Sequence, residues 1–202
     1  EKEMTRATKS MCKFCFDTLT SKLNKKSLPV AKFEFADQKS SLFVTWYKKY
    51  KNDYDLRGCI GTFAKPKLGD GLSRFALVSA FEDTRFDPIA SSELPSLKVS
   101  INLLVEFEDA KDAFDWEVGK HGIDIEFVDK KSGQAHSATF LPSVAEEQGW
   151  TKTQTLHHLL RKSGFRGSID EEILKRVHVE RYQSSTCDMT YDEYHQLTEE
   201  SK

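Results

Sequence analysis

Apolar residues at Met4, Ala7, Met11, Cys15, Leu19 and Leu23 recur every three or four positions, which predicts a helix over Met4 to Leu23. Phe14 and Phe16 widen the stripe, as expected of a buried helix, and Asn24-Lys25-Lys26-Ser27 before Pro29 supplies the stop. Leu42, Phe43, Val44, Thr45, Trp46 and Tyr47 predict a strand over Ser41 to Lys48. The polar Lys51-Asn52-Asp53 then turns the chain into a second strand over Leu56 to Phe63, forming a hairpin. Leu72, Phe75, Ala76, Ser79, Ala80 and Asp83 fall at helical spacing after Asp70-Gly71, and Asp87-Pro88 is the expected terminator. Lys98 to Phe107 alternates and then becomes continuously apolar, the pattern of a long buried strand. Ile123 to Val128 and His136 to Leu141 flank Asp129-Lys130-Lys131-Ser132-Gly133, a second hairpin. Pro142 opens a helix punctuated by Gly149, and Thr151-Lys152-Thr153-Gln154 has capping-box spacing for a helix toward Ser163-Gly164. Val177 to Tyr182 is read as the last strand and Thr190 to Leu197 as a terminal helix.

Helices and strands interleave, but two hairpins and irregular spacing disfavour a doubly wound parallel sheet. The expected class is α+β, with a mostly antiparallel sheet flanked by helices, in two unequal lobes of one chain-wide domain over residues 1–202. No repeat, low-complexity block or Pro/Gly-rich linker marks a boundary. The apolar fraction of 38% and the 14 Phe supply ample core material, which excludes a disordered tail. No uncharged apolar run approaches the roughly 18 residues of a bilayer span, so a membrane is not an expected partner. The first residue is Glu1, so the sequence is silent on any segment that preceded it.

The 30 Lys plus Arg and 32 Asp plus Glu nearly cancel, giving a formal charge of −2 that argues against a strongly basic nucleic-acid binder. Lys48-Lys49-Tyr50-Lys51 mixes basic and aromatic residues and is read as a solvated turn, with nucleic-acid binding through it as a third, weaker alternative. Cys12, Cys15, Cys59 and Cys187 are too sparse for a disulfide scaffold, and no Asn-X-Ser/Thr pattern occurs, so an intracellular address is expected. Cys12 and Cys15 lie deep in the first helix without a second ligand pair and are read as core, so no metal is expected. P-loop and dinucleotide fingerprints are missing, and no cofactor is expected.

The densest unusual stretch is Leu56-Arg57-Gly58-Cys59-Ile60-Gly61-Thr62-Phe63, because glycine inside a strand marks a bulge or a close approach. Strict alternation puts Leu56, Gly58, Ile60 and Thr62 on one face and Arg57, Cys59, Gly61 and Phe63 on the other. On that reading Arg57 neighbours Cys59 and lowers its thiol pKa, while Gly61 clears space beside it. A ligand or peptide pocket lined by Arg57, Cys59 and Thr62 is the leading expectation, with no reaction assigned. The competing one is an enzyme with Cys59 as nucleophile, Thr62 or backbone N–H groups stabilising an oxyanion and His121 or His136 as base. Asp83, Thr84, Arg85 and Asp87 form a further polar cluster, read as an ion-pair network fixing a turn, in which Arg85 is a candidate for an anionic partner.

The Leu56–Phe63 stretch resembles the signature of the AMME chromosomal region protein family. Asp83-Thr84-Arg85-Phe86-Asp87-Pro88, His121-Gly122-Ile123, Thr139-Phe140-Leu141-Pro142 and Leu160-Arg161-Lys162-Ser163-Gly164 are similar to further landmarks of that family, in order, over about Met4 to Tyr194. The resemblance implies an α+β fold in two unequal lobes and, in prokaryotes, proximity or fusion to Memo-like and radical-SAM proteins. It implies no established reaction, a part in basic cellular or regulatory processes, and placement in the nucleus or cytoplasm. A specific signature without a complete catalytic constellation makes a regulatory or interaction protein, with a protein segment or small ligand as partner, the leading expectation. The resemblance directs suspicion of function to Arg57, Gly58, Cys59, Gly61 and Thr62. Ser143 departs from the Gln or Glu expected after Leu141-Pro142.

Overall fold

The computed structural model describes residues 4–201. Its elements in chain order are α1 (Lys9–Leu23), β1 (Ser41–Tyr50), β2 (Asp53–Thr62), α2 (Leu68–Phe81), a 3-10 turn (Ser91–Ser96), β3 (Leu97–Asp109), β4 (Gly122–Val128) and β5 (Ala135–Phe140). They continue with α3 (Pro142–Gln148), α4 (Lys152–Lys162), α5 (Glu171–Arg176), β6 (His178–Thr190) and α6 (Tyr191–Glu200). The fold is α+β: the strands form one sheet in the order β2-β1-β3-β6-β4-β5, antiparallel, with β2 and β5 at its edges. The chain divides into two compact units, one running to Leu103 and resuming at Ser185, the other Leu104–Ser184.

Local chemistry moves several boundaries away from where hydrophobic spacing puts them. The first helix starts at Lys9 rather than Met4, because the Thr8 hydroxyl caps it by accepting the Met11 N–H. The helix expected from Asp70 begins at Leu68, where the N–H groups of Leu68 and Gly69 bond to the carbonyls of Gln38 and Ala36, both at 2.8 Å. It ends at Phe81, well before Asp87-Pro88, and Asp83 instead turns its carboxylate to β2. β6 continues to Thr190 rather than stopping at Tyr182, and its second half alternates exposure in a polar sequence. The six-residue α5, unforeseen from spacing, is capped by Asp170, whose Oδ1 accepts the Ile173 N–H at 3.0 Å. Capping boxes form at Thr151/Gln154 on α4 and at Thr190/Glu193 on α6.

In the first unit α1 and α2 cover one face of the β1–β2 hairpin. Met11, Phe16, Leu19, Leu42, Val44, Trp46, Leu72 and Ala76 are completely buried there. The Trp46 indole satisfies its polar end by donating to the Ala76 carbonyl at 2.9 Å. The second unit has its own core, in which Ile123, Ile125 and Phe127 of β4 meet Leu156, Leu159 and Leu160 of α4.

Candidate functional site

A β-bulge resets the alternation of β2. Trp46 pairs with Gly58 and Tyr47 with Leu56, so Arg57 is the extra residue. Beyond it, Gly58, Ile60 and Thr62 oppose Trp46, Val44 and Leu42 on the helix-covered face, while Cys59 and Gly61 oppose Thr45 and Phe43 on the other. Leu56 therefore faces with Tyr47 and Cys59, not with Gly58. Arg57 does not neighbour Cys59 on one face either. It meets Lys48 at the Glu93 carboxylate, whereas Cys59 meets Thr45, and Lys48 and Thr45 lie on opposite faces of β1. The Arg57 charge that alternation alone aims at the thiol is thus directed to Glu93.

Both glycines of the signature answer to close packing. A Cβ on Gly58 would stand 2.1 Å from the Ser79 carbonyl oxygen of α2, so only a residue without a side chain lets the helix settle onto the strand. One on Gly61 would stand 2.2 Å from the Leu42 carbonyl oxygen and 2.5 Å from the Phe43 ring. The Ser79 hydroxyl uses the proximity: it is within 2.8 Å of the Val44 carbonyl and 3.1 Å of the Ile60 carbonyl, and accepts the Ile60 N–H at 3.0 Å. Helix and hairpin are joined there by one polar atom.

Two ion-pair clusters flank the strand. Glu93 accepts from Arg57 Nε (3.0 Å) and Nη2 (3.3 Å), from Lys48 Nζ (3.0 Å) and from the Ala90 N–H (2.7 Å). Burial opposes the charged carboxylate, but the bonds from Arg57, Ala90 and Lys48 outweigh it and lower its pKa to about 2. Asp83 accepts the outward N–H of Cys59 at 2.9 Å and holds Arg85 at 2.7 and 3.0 Å, while Arg85 Nη2 reaches the Cys59 carbonyl at 3.4 Å. The Arg85 guanidinium, aided by the backbone N–H groups of Cys59 and Arg85, holds the Asp83 carboxyl far below the usual carboxylate range.

Cys59 is partly exposed, and its Sγ accepts a hydrogen bond from the Thr45 hydroxyl at 3.1 Å. The same face carries Phe43 edge-on to the exposed Phe63, and Tyr47, whose ring lies 4.8 Å from the Lys98 ammonium. Thr62 Oγ1 accepts the Ala64 N–H at 3.1 Å, a local turn contact at the strand end. Arg57, Thr84, Arg85, Phe86 and Asp87 together line a shallow depression of about 430 Å³. Structure thus brings Arg57, Cys59 and Arg85 into one neighbourhood of the first unit.

The imidazoles nominated as bases belong to the second unit. His121 is buried, and its Nδ1 accepts the Glu117 N–H at 2.9 Å. His136 is also buried; its Nδ1–H donates to the Ser163 carbonyl at 3.1 Å, and its ring packs against Phe127 and Phe165. Neither bond involves the Cys59 thiol, whose partner is Thr45. Cys12 and Cys15 sit fully buried on α1, and burial pushes both thiols up. Ser143 is exposed on α3. Spacing gave no hint of Glu93, because its partner Arg57 is 36 residues away, nor of Thr45 and Ser79, ordinary residues until the sheet and α2 align them.

The AMMECR1 family model matches residues 12–187. An uncharacterized Arabidopsis thaliana protein is 46% identical over 193 residues, covering 95% of this chain and 89% of its own. An uncharacterized Schizosaccharomyces pombe protein is 39% identical over 187 residues, covering 92% and 94%. Among solved structures, an uncharacterized Pyrococcus horikoshii protein superposes with a TM-score of 0.64 at 23% identity over 88% of this chain and 89% of that one, a likeness of fold. Matching nearly all of its length to the family model, and carrying the Leu56–Phe63 strand on which α2 rests, the chain belongs to the AMMECR1 family.

Proposed function

We propose that this is a regulatory or interaction protein that takes an anionic group of a protein segment or small ligand beside the Leu56–Phe63 strand. The observation that carries this reading is two arginines, Arg57 and the exposed Arg85, among the residues lining one depression. Arg85 is 58% exposed, and its pairing with Asp83 fixes its direction. Arg57 is held by Glu93 through Nε and Nη2, and its buried Nη1 has no hydrogen-bond partner among the described residues. A carboxylate or phosphate meets the exposed Arg85 guanidinium with directional bonds.

The test is binding of the full chain to an array of acidic and phosphorylated peptides, with Arg85→Ala as the variant. Because one charge-assisted bond contributes about 1.5–3 kcal/mol, affinity should drop roughly tenfold or more in the variant while the far-ultraviolet spectrum stays unchanged. Equal binding by wild type and variant would remove the reading.

The partly exposed Cys59 sulfur, oriented by the Thr45 hydroxyl, supports a second reading, in which Cys59 is a nucleophile. Rapid, site-selective alkylation of Cys59 near neutral pH that slows in Thr45→Val would favour it. Slow alkylation in both proteins would leave the interaction reading standing.

A further inference from the structure

Cys12 and Cys187 stand near opposite ends of the chain, and the fold brings them together inside the first unit. In the second half of β6, Thr186 and Asp188 are exposed, while Ser185, Cys187 and Met189 share the other face. The start of α1 and the residue before its cap meet that stretch at three points. The Ala7 N–H donates to Ser185 Oγ at 2.9 Å, Lys9 Nζ to the Asp188 carbonyl, and Cys12 Sγ to the Cys187 carbonyl at 3.3 Å. The Cys187 thiol is a hydrogen-bonding neighbour of the Cys12 thiol as well, so the two sulfurs lie within each other's reach.

Their exposure differs. Cys12 is completely buried and Cys187 is partly exposed, so a reagent from solution meets Cys187 first. Cys15 is also completely buried, and burial alone raises its thiol pKa, with nothing contributed by Cys187. Cys59 is engaged by Thr45. Burial, and then the charge of a Cys187 thiolate, raise the Cys12 pKa, so Cys12 rests as a thiol. Once Cys187 is capped it carries no charge, and its share of that rise disappears. The Lys9 ammonium, which acts in the opposite direction, stays in place between the Asp188 carbonyl and Glu193, the latter at 2.8 Å. Cys12 also lies in the first turn of α1, where the helix dipole favours a thiolate.

We propose that Cys187 and Cys12 form a thiol-modification site for small soluble disulfides, Cys187 taking the reagent and Cys12 closing an intramolecular disulfide between β6 and α1. The Cys187 thiolate attacks one sulfur of the reagent; that S–S bond breaks, a mixed disulfide forms and one thiolate leaves. Cys12 then attacks the Cys187 sulfur as a thiolate and expels the second. The two cysteine protons end on the two released thiols, and the protein gives up the two electrons that the reagent gains. The link joins residues 175 positions apart, closing most of the chain into one loop and favouring the folded state. It is independent of both readings of the Leu56–Phe63 strand.

The experiment treats the reduced full chain with oxidised glutathione at neutral pH, alkylates the remaining thiols in urea and maps the pairings by peptide mass spectrometry without reduction. The expected result is a Cys12–Cys187 link within one chain, reversed by dithiothreitol, and a melting temperature roughly 10 °C above that of the reduced protein. Oxidation of the chain unfolded in urea should instead favour Cys12–Cys15, which closes a far shorter loop, by at least about tenfold. Cys12→Ser should stop at the mixed disulfide on Cys187, and Cys187→Ser should leave Cys12 unmodified; where either variant fails to fold, the wild-type map decides alone. No Cys12–Cys187 link, the same pairings in the native protein and in urea, or glutathione on Cys12 in folded Cys187→Ser would overturn the proposal.

Discussion

Glu93 gathers two cations and a backbone N–H onto one carboxylate, and its two cations differ sharply in burial. The Arg57 side chain is 13% exposed and that of Lys48 44%. Removing the carboxylate leaves Arg57 nearly buried without a counter-charge, a cost of about 3–5 kcal/mol for a buried pair. Glu93→Ala should therefore lower the unfolding free energy by about 3 kcal/mol in urea denaturation, and Lys48→Ala by less than about 1 kcal/mol. Gly58→Ala should cost about 3 kcal/mol or more, since its Cβ would meet the Ser79 carbonyl oxygen, a backbone atom that cannot step aside. Gly133→Ala meets no atom within 4 Å and, at φ +71°, should cost only about 1 kcal/mol of backbone strain. A Gly58 variant as mild as the Gly133 one would contradict the close helix–strand contact. At Cys59, Arg57→Ala should leave the rate of alkylation unchanged, because Arg57 is bound to Glu93 on the opposite face.

At the scale of elements, the bulge decides which side chains meet. The two hairpins, the long β3 and the helices with capping boxes were legible because each writes its geometry into a few neighbouring residues. The bulge at Arg57 was not, since an extra residue in one strand is visible only in the register with its partner. The second half of β6 was hidden for a related reason: Gln183-Ser184-Ser185-Thr186 is polar, and its strand conformation comes from pairing rather than from hydrophobic alternation. The glycines of Leu56–Phe63 did announce a close approach, though not that α2 makes it at Gly58. Ser79→Ala tests that contact. Losing a hydroxyl shared by Val44 and Ile60 should cost about 1–2 kcal/mol and speed amide exchange at Ile60. Unchanged exchange at Ile60 would show that the hydroxyl does not tie helix to hairpin.

For the whole molecule, the net charge of −2 conceals carboxyls that titrate far from their ordinary range. Glu93 is held at about 2 against 4.5 when free, so its contribution to stability is intact above pH 4.5 and is lost as pH falls toward 2. Asp83 acts in the same direction. His121 is also lowered, from 6.5, so the fold prefers its neutral ring; that contribution is intact above pH 6.5 and declines below it. Urea midpoints should thus fall in two stages on acidification, a shallow one beginning near pH 6.5 and a steep one below pH 4.5. His121→Gln should remove the first stage and keep the second.

The hydrogen bonds of Asp83 and Arg85 to Cys59 have a further effect, because β2 is an edge strand. An edge is where a second chain would otherwise add and let sheets grow from molecule to molecule. A carboxylate on the N–H and a guanidinium on the carbonyl occupy both groups that Cys59 would offer such a chain. Asp83 stays ionised down to strongly acidic pH, so the guard persists wherever the fold does. The aspartate that fixes a turn also closes one point of an open sheet edge to strand addition.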